Sequence, residues 1–302
     1  MTHAPDSNLA RFLEGFSIEV MPRTAAKIRR FRDIIPTGTR VYVAHIEGTP
    51  IQDMVVTARR IRSEGFPVMP HFPARIIKDR ATLRDWIVRY REDADIDQAL
   101  LLAGGVNKPV GDFSDSMQLL ESGLFGDAGF RRLHVAGHPE GNPDIDPDGS
   151  TAGVDRALEW KQKFSESTDA EMAIATQFCF DATPVIHWLD RLRDLGVTLP
   201  VHVGVAGPAK LQTLIRFAVA CGVGQSLQVL RKRARDIRKL LTPFEPDEFL
   251  NALADYDAGC PESGIGAVHF FPLGGIMACT DWVAAHRGAG AAGELAARKE
   301  TT

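Results

Sequence analysis

The sequence lacks paired cysteines. Its four cysteines stand far apart and form no CxxC pair, so neither a zinc site of the usual spacing nor a disulfide framework is indicated. Long apolar runs are also missing. None reaches the roughly 18 apolar residues that a membrane span needs, and residues 1–15 lack the apolar core of a signal peptide. From these absences we expect a protein of the reducing cytoplasm with no membrane partner.

A strong excess of either charge is absent as well. The net charge is only −4, which gives no reason to expect a nucleic-acid partner. Hydrophobic residues make up 44% and charged residues 25% of the 302 positions, as in ordinary globular proteins. This length suits either two average domains or one α/β barrel with insertions. The oligomeric state is left open, a homo-oligomer included.

Eight short apolar segments run through the chain. Most are rich in Val, Ile, Leu or Phe and alternate little over their central residues, which is typical of strands covered on both faces in a parallel sheet. The predicted strands are FSIEV (16–20), RVYVAHI (40–46), FPVMPHF (66–72), QALLLAGG (98–105), RRLHVAGH (131–138), EMAIATQF (171–178), LPVHVGVA (199–206) and GAVHFFPL (266–273).

A helical pattern follows each apolar segment. In 82–91, for example, the apolar residues are spaced for one buried stripe. Strand then helix, eight times over, predicts a closed (β/α)8 TIM barrel formed as one domain by residues 1–287, with a flexible tail at 288–302. An open Rossmann-type sheet is the alternative, but eight units and the lack of an early glycine-rich loop argue against it. The predicted helices are 24–32, 51–64, 82–91, 115–122, 151–164, 183–195, 208–221 and 273–287.

An insertion, 222–264, separates the seventh helix from the eighth strand. It contains a predicted basic helix, 227–241, and a second helix, 246–254. A long insertion after strand seven lies on the active face of a barrel. We interpret the basic residues as a solvated face or an interface rather than a polyanion site. The GAGAAG pattern at 288–293 follows a helix with too few residues left for a second strand, so no dinucleotide site is predicted there.

Polar residues cluster where the predicted strands end. In barrel enzymes the chemistry lies at the C-terminal ends of the strands, so these side chains should converge on one mouth. Two chemistries suit such a mouth: a divalent metal held for hydrolysis, or one carboxylic acid working beside an organic cofactor. No HxH or HExxH spacing occurs, and we predict no metal ligand. The strand-end residues are Glu19, His45, Glu47, His71, Gly104, Gly105, His138, Glu140, Gln177, Asp181 and His202.

Five stretches at these strands resemble the motifs of one enzyme family. They are SIEVMPR (17–23), MPHF (69–72), VAGHPEGNPD (135–144), TQFCFD (176–181) and VHFFPL (268–273). In the same order, methylenetetrahydrofolate reductases carry similar motifs at strands one, three, five, six and eight. TQFCFD and HPEGNPD are the more specific matches, and the resemblance covers residues 16–275. It implies a flavoprotein built on a (β/α) barrel.

The resemblance implies that FAD lies in the barrel mouth with a reduced folate stacked on it, and that a hydride moves between flavin N5 and the one-carbon unit on folate N5. Glu19 matches the family's general acid, and a carboxyl in an apolar, flavin-covered pocket should have a raised pKa. Gln177 matches the glutamine that hydrogen-bonds the pterin, and Phe271 is placed at the substrate. His71, His138, Asn142 and Lys163 align with flavin-contacting positions of the family. The predicted flavin contacts also include three further strand-end residues, namely His45, Gly104 and Gly105.

Several mouth positions depart from the family pattern. The fourth strand normally ends Leu-Arg-Gly-Asp but ends LAGG at 102–105 here, so the carboxylate near the flavin is missing. Removing a negative charge beside the flavin should raise its reduction potential, because reduced flavin tends to carry negative charge. We therefore expect the oxidative direction, towards 5,10-methylenetetrahydrofolate, to be favoured, and leave the use of NAD(P)H open. Two other hypotheses stay open: a metal-dependent barrel hydrolase, and a folate- or flavin-binding subunit without turnover.

Overall fold

The fold is seen in a computed structural model that describes residues 8–223, 227, 229–231 and 243–287. Most of the predicted basic helix 227–241, and the whole predicted tail 288–302 with its GAGAAG pattern, lie outside the described residues. Within the described part of the chain, no helix is both long enough and apolar enough to cross a membrane.

Eight parallel strands close into a barrel in chain order. They are β1 Ser17–Val20, β2 Arg40–Val43, β3 Val68–Pro73, β4 Gln98–Leu102, β5 Arg132–Gly137, β6 Glu171–Cys179, β7 Val201–Ala206 and β8 Ile265–Phe271. Closure comes from β1 against β8, where Ser17 lies opposite His269 and Ile18 opposite Phe270. The eight predicted apolar segments are thus confirmed as the strands of a (β/α)8 TIM barrel.

Helices connect the strands, as the alternation predicted. They are α1 Asn8–Phe12, α2 Pro22–Ala25, α3 Ile51–Ser63, α4 Arg80–Ala94, α5 Ser116–Glu121, α6 Leu124–Asp127, α7 Ala152–Ser165, α8 Ala182–Asp194, α9 Leu211–Ala220, α10 Asp247–Gly259 and α11 Ile276–His286, with 3₁₀ turns at Phe31–Asp33 and Ala74–Ile76. Asp79, Asp115 and Asp181 cap α4, α5 and α8, because each carboxylate accepts a hydrogen bond from a first-turn N–H. Both α9 and α10 lie between β7 and β8: α9 corresponds to the predicted helix 208–221, and α10 lies in the insertion at the predicted helix 246–254.

The predicted helix at 24–32 does not form over that length. α2 ends at Ala25, and a 3₁₀ turn begins at Phe31. The guanidinium of Arg60 on α3 donates to the Ala25 carbonyl at 3.0 Å and to two later carbonyls, which therefore need no continuing helix to satisfy them. The N–H of the fully buried Phe31 donates to the Glu64 carboxylate, which holds this part of the chain against α3.

The main hydrophobic core fills the layer between the barrel and its helices. Strand residues such as Ile18, Val43 and Leu101 are fully buried there together with helix residues. Side chains alternate along a strand, so the neighbours of these residues, including Glu19 and Tyr42, turn towards the barrel axis. The helix-facing side of the sheet is therefore apolar, while polar groups enter the interior.

A smaller apolar cluster lies beside the carboxyl ends of β6, β7 and β8. It joins Phe178 and Phe180, from the end of β6, to α9 and to Phe244 in the inserted segment. Phe244 and Ala209 form an isolated antiparallel bridge, with N–H to C=O distances of 2.8 and 3.2 Å. The insertion is thereby fastened to the barrel just beyond β7.

Candidate functional site

Glu19 lies on the inward face of β1 at the carboxyl end of the barrel. Its Oε2 is 3.2 Å from Nε2 of His71 on β3 and 3.8 Å from Nε2 of His269 on β8. Only 18% of the Glu19 side chain is exposed, and both histidines are buried. Two predicted site residues, Glu19 and His71, are therefore brought together from distant parts of the sequence.

The protonation state of Glu19 differs from the sequence-based expectation. Burial alone would raise the pKa of its carboxyl, but the charge of His71 and the hydrogen bonding and charge of His269 outweigh burial and lower the pKa to about 2. The prediction of a raised pKa is wrong for this arrangement, because it took no account of two imidazoles facing the acid. Glu19 is therefore a carboxylate at neutral pH.

Sequence reasoning missed His269 as a site residue. Its Nδ1 is 2.9 Å from the hydroxyl of Ser17, which precedes Glu19 by two positions on the same face of β1. Burial lowers the pKa of His269, against the opposing effect of Glu19. The signal that could have found it is the two-residue period, because His269 and Phe271 occupy inward positions on β8 as Ser17 and Glu19 do on β1.

Deeper in the barrel, the interior remains polar. Tyr42 on β2 is fully buried, and its hydroxyl is 2.6 Å from Nδ1 of His134 on β5. The Tyr42 ring centroid lies 4.2 Å from that of His269, and the His134 centroid lies 4.6 Å from that of His202 on β7. His202 was predicted at the mouth but belongs to this interior group, because it is the second residue of its strand.

Charged residues mark the opposite end of the barrel, where the strands begin. Nε of Arg40 on β2 donates to Oε1 of Gln98 on β4 at 2.8 Å, and Arg132 on β5 pairs with Glu171 on β6. Burial lowers the pKa of His202 to about 3, and the positive charges of Arg40 and Arg132 act in the same direction. The interior imidazole of His202 is therefore neutral.

His45 is held beneath the loop that follows β2. Its Nε2 is 2.9 Å from the Thr49 carbonyl oxygen, and its ring lies 4.8 Å from that of Trp86. Burial lowers the pKa of His45, against the opposing hydrogen bond to Thr49. Its Nδ1 is buried and has no hydrogen-bond partner among the described residues. The predicted flavin contact of His45 stays a prediction, while its visible contacts support the loop.

Gln177 occupies a β-bulge. The pairing register of β6 and β7 slips between Ala175 and Phe178, so β6 accommodates one extra residue. The Thr176 hydroxyl donates to the Gln177 carbonyl and accepts the N–H of Gly204 at 2.8 Å. A Cβ at Gly204 would lie 2.5 Å from the Thr176 carbonyl oxygen and 2.6 Å from that of Gln177, so only glycine fits beside the bulge. The bulge thus fixes the direction of Gln177 at the carboxyl end of β6.

Phe271 is part of an aromatic cluster at the carboxyl end of β8. Its ring centroid lies 5.4 Å from that of Phe178 and 4.8 Å from that of His269. Phe178 in turn contacts Phe180, which contacts Phe244 of the insertion. Phe271 is half-buried, so part of its ring presents an apolar surface next to the Glu19 group. Such a surface suits a flat aromatic ligand.

Gly104 and Gly105 follow β4 at the same end of the barrel. Gly104 has a φ of +97°, and a Cβ there would lie 2.9 Å from Cβ of Pro73, so glycine is needed at this position. Gly105 differs, because no heavy atom lies within 4 Å of the place that a Cβ would take. Space is therefore open where the family resemblance leads one to expect a carboxylate.

Lys161 faces the barrel, whereas Lys163, the lysine predicted to contact the flavin, does not. Helix residues two positions apart point about 200° away from each other, and on α7 Lys161 is buried whereas Lys163 is exposed. Nζ of Lys161 donates to the Ala136 carbonyl on β5 at 3.2 Å. Burial lowers the pKa of Lys161 to about 8, against the opposing charge of Asp115. Burial and the Lys161 charge lower the pKa of His138 to about 4.

Asn142 shapes the loop between β5 and α7. Its Oδ1 accepts the N–H of Asp144 at 2.9 Å, and its carbonyl accepts the N–H of Asp146. The buried Asp146 carboxylate accepts the N–H groups of Gly153 and Val154 at the start of α7. The predicted flavin contact of Asn142 stays a prediction, and its visible bonds order the loop that leads to Lys161.

No protein-family model matches the sequence. Among solved structures, the carboxyl transferase domain of Rhizobium etli pyruvate carboxylase with 3-bromopyruvate is similar at 11% identity and a TM-score of 0.48, over 96% of this chain and 47% of that one. The same domain with oxalate is similar at 10% identity and a TM-score of 0.45, over 87% of this chain and 41% of that one. A conserved Enterococcus faecalis protein of unknown function is similar at 8% identity and a TM-score of 0.35, over 65% of this chain and 49% of that one. This chain thus spans about half the length of those it matches, and the barrel assignment rests on its own strand pairing.

Proposed function

We propose that the protein is a flavin-dependent oxidoreductase that interconverts 5-methyl- and 5,10-methylenetetrahydrofolate, with FAD in the barrel mouth. The observation that carries the proposal is the contact between Glu19 and His71. These residues match separate motifs of the reductase family and lie 3.2 Å apart on β1 and β3. Gln177 in the β6 bulge and Phe271 at the end of β8 lie at the same end of the barrel.

The residues around the mouth suit a flavin in two respects. Beside Gly105 the space is open, which allows the backbone of the loop to approach a flat ring closely. Lys161 carries a buried amine that donates to one carbonyl, and an ammonium has three donors, so a phosphate oxygen suits its remaining N–H groups. FAD, when bound, supplies the two-electron acceptor or donor of hydride.

Glu19 handles a proton in this reaction. Once the N5-methyl group has lost its hydride, folate N10 attacks the one-carbon unit to close the ring, and N10 must release its proton. The Glu19 carboxylate accepts it, since a pKa of about 2 keeps the side chain ionised at neutral pH. In the reverse reaction the same side chain would return the proton to N10. The preference for the oxidative direction in this proposal rests on the missing carboxylate at Gly105, which should raise the flavin reduction potential.

Two further side chains orient the folate in this proposal. The half-buried ring of Phe271 offers an apolar face for the pterin or the aminobenzoyl ring. The Gln177 amide can donate and accept at once, which matches the mixed edge of a pterin. Nε2 of His71 lies 3.2 Å from the carboxylate of Glu19 and favours its ionised form.

The test is an anaerobic titration of the purified, FAD-reconstituted protein with 5-methyltetrahydrofolate, followed by the flavin absorbance. We expect the wild-type flavin to bleach. Glu19→Gln should bind FAD normally but turn over about 10²–10⁴ times more slowly, the usual contribution of a positioned acid or base. The exposed Glu47, just beyond the end of β2, offers a matched control, and Glu47→Gln should behave as wild type.

Three outcomes would overturn the proposal. A colourless protein that does not bind FAD would rule out a flavin-dependent reaction. A protein that binds FAD without bleaching is the inert folate- or flavin-binding subunit. Bound metal with hydrolytic activity would favour the barrel hydrolase, although the described residues hold no group of three His, Cys, Asp or Glu side chains that could bind a metal ion.

A further inference from the structure

Arg75 lies in the 3₁₀ turn that follows β3 and reaches across to the loop after β4. Its Nε donates to the Ser114 carbonyl and its Nη1 to the Val106 carbonyl, both at 3.1 Å. The backbone of Arg75 makes two more bonds to the same loop, because its N–H donates to the Ala103 carbonyl and its carbonyl accepts the N–H of Val110. Arg75 is therefore bound to the loop after β4 from its beginning to its end.

The guanidinium of Arg75 keeps donors in reserve. It carries five N–H groups, and the described part of the chain supplies acceptors for only two of them, the carbonyls of Ser114 and Val106. Oδ2 of Asp144, in the loop after β5, lies 3.9 Å from Nη1. That distance is too long for a hydrogen bond, and 68% of the Asp144 side chain is exposed. The positive charge of Arg75 is therefore open to another anion.

Arg75 and Lys161 approach the same gap from two sides. The gap separates the loops after β4 and β5, whose strands pair for the last time at Leu101 and Val135. Arg75 spans it, since the guanidinium bonds the first loop and faces a carboxylate of the second. Nζ of Lys161 donates to the carbonyl of Ala136, the residue just beyond that last pair. Two positive groups thus line one gap at the carboxyl end of the barrel.

The two cations lie at different depths, and a structural role explains only part of them. Lys161 is 5% exposed, whereas 18% of the Arg75 side chain is exposed. The charge of Asp115 acts on Lys161, but the Asp115 carboxylate is already occupied by two first-turn N–H groups of α5 and by the Ser114 hydroxyl. A buried cation without a paired anion is costly. Both groups are therefore suited to an anion that enters the gap.

We propose that Arg75 and Lys161 form a diphosphate subsite, in which Lys161 binds the inner phosphate and Arg75 binds the outer one. The proposal rests on the proposed function for the ligand, since FAD carries a diphosphate between its flavin and its adenosine. Lysine binds phosphate as a compact charge, and the planar guanidinium offers several N–H groups to phosphate oxygens. The deeper cation takes the phosphate nearer the flavin, because the diphosphate leads outwards from a ring that lies in the mouth.

The test compares the binding of riboflavin, FMN and FAD to the full-length, flavin-free protein by isothermal titration calorimetry. Riboflavin has no phosphate, FMN has only the inner phosphate, and FAD has both. We expect Lys161→Met to weaken FMN and FAD binding about tenfold to hundredfold, as for other hydrogen bonds to charged groups. Arg75→Gln should weaken FAD binding by a similar factor and leave FMN binding unchanged. Neither variant should change the affinity for riboflavin.

Two further variants separate the charge of Arg75 from its role in the loop. Arg84 is exposed on α4, so Arg84→Gln makes the same change of charge away from the gap and should bind all three flavins as the wild type does. Arg75→Lys keeps the positive charge and should bind FAD more tightly than Arg75→Gln. Equal losses for riboflavin, FMN and FAD in Arg75→Gln would mean that the residue only holds the loop, and would overturn the subsite.

Inorganic pyrophosphate tests the same subsite without a flavin. We expect ³¹P NMR to show that it binds the wild type and that Arg75→Gln and Lys161→Met each weaken this binding about tenfold or more. A protein that binds pyrophosphate in this way but binds no flavin would contradict the proposed function and support the subsite. A protein that binds FAD no more tightly than riboflavin would overturn the subsite and leave the proposed function standing.

Discussion

The hydroxyl of Thr176 accepts the N–H of Gly204 at 2.8 Å and so joins β6 to β7 where their pairing register slips. Gly204→Ala should disturb this joint, because the added Cβ would strike two backbone carbonyls that cannot rotate away. We expect a loss of about 1–3 kcal/mol in the free energy of unfolding and weaker folate binding through a displaced Gln177. Denaturant unfolding and folate titration measure the two effects.

Gly126 provides the control for that substitution. It lies in α6, and no heavy atom is within 4 Å of the place its Cβ would take. Gly126→Ala should leave stability unchanged or raise it slightly. Equal losses in both variants would mean that the β6 bulge has no special need for glycine.

The loss of folding stability at acid pH should depend on Glu19. Its folded pKa of about 2 lies below the ordinary 4.5, so the carboxylate contributes stability that is present above pH 4.5 and is lost as the pH falls towards 2. The full contribution is on the order of 3 kcal/mol. Glu19→Gln should therefore flatten the pH dependence in this window, as measured by urea unfolding. Parallel curves for wild type and Glu19→Gln would contradict the pairing with His71, and the exposed Glu47→Gln serves as control.

Lys161 and Lys163 should differ sharply in their effect on FAD binding. Lys161→Met removes the buried amine near β5, and we expect FAD affinity to fall about tenfold to hundredfold, as for other hydrogen bonds to charged groups. Lys163→Met changes an exposed side chain and should leave affinity unchanged. Wild-type affinity should also decline as the pH rises past about 8, where Lys161 loses its proton. Fluorescence titration tests all three statements, and equal affinities for the two variants would refute the assignment.

A carboxylate restored at position 105 should lower the flavin reduction potential. The position is open, so Gly105→Asp fits without displacing a neighbour. A negative charge near the ring should disfavour the reduced flavin by about 50 mV and slow the oxidation of 5-methyltetrahydrofolate. Gly105→Asn has the same shape without the charge and should leave the potential near that of the wild type. Reduction of each variant together with a reference dye measures its flavin reduction potential. Equal potentials for Gly105→Asp and Gly105→Asn would exclude the electrostatic explanation.

The strands of this fold could be predicted from the sequence, because each is a short apolar run that the barrel buries on its outer face. The helix at 24–32 could not, since its end depends on Arg60, a side chain from the next helix that takes up its carbonyls. Local pattern predicts an element, but contacts with distant residues decide where that element stops. The same limit applies to the bulge at Gln177, which depends on Gly204 in the neighbouring strand.

For the site, resemblance to the family motifs and the spacing of buried residues predicted different side chains. Resemblance placed Glu19 and His71 at one mouth, and they meet there. It also pointed to Lys163, although the spacing of the buried residues on α7 marks Lys161 as the inward lysine. The lowered pKa of Glu19 lay beyond both methods, because it depends on the distances to two imidazoles on other strands.

The two hydrogen bonds between Ala209 and Phe244 give residues 210–243 a shared base on the barrel. Because the entropy of closing a loop grows only slowly with its length, a change in the number of residues between α9 and Phe244 should cost the strands little stability. The connection from β7 to β8 can therefore vary in length during evolution while the strand pairing that closes the barrel persists.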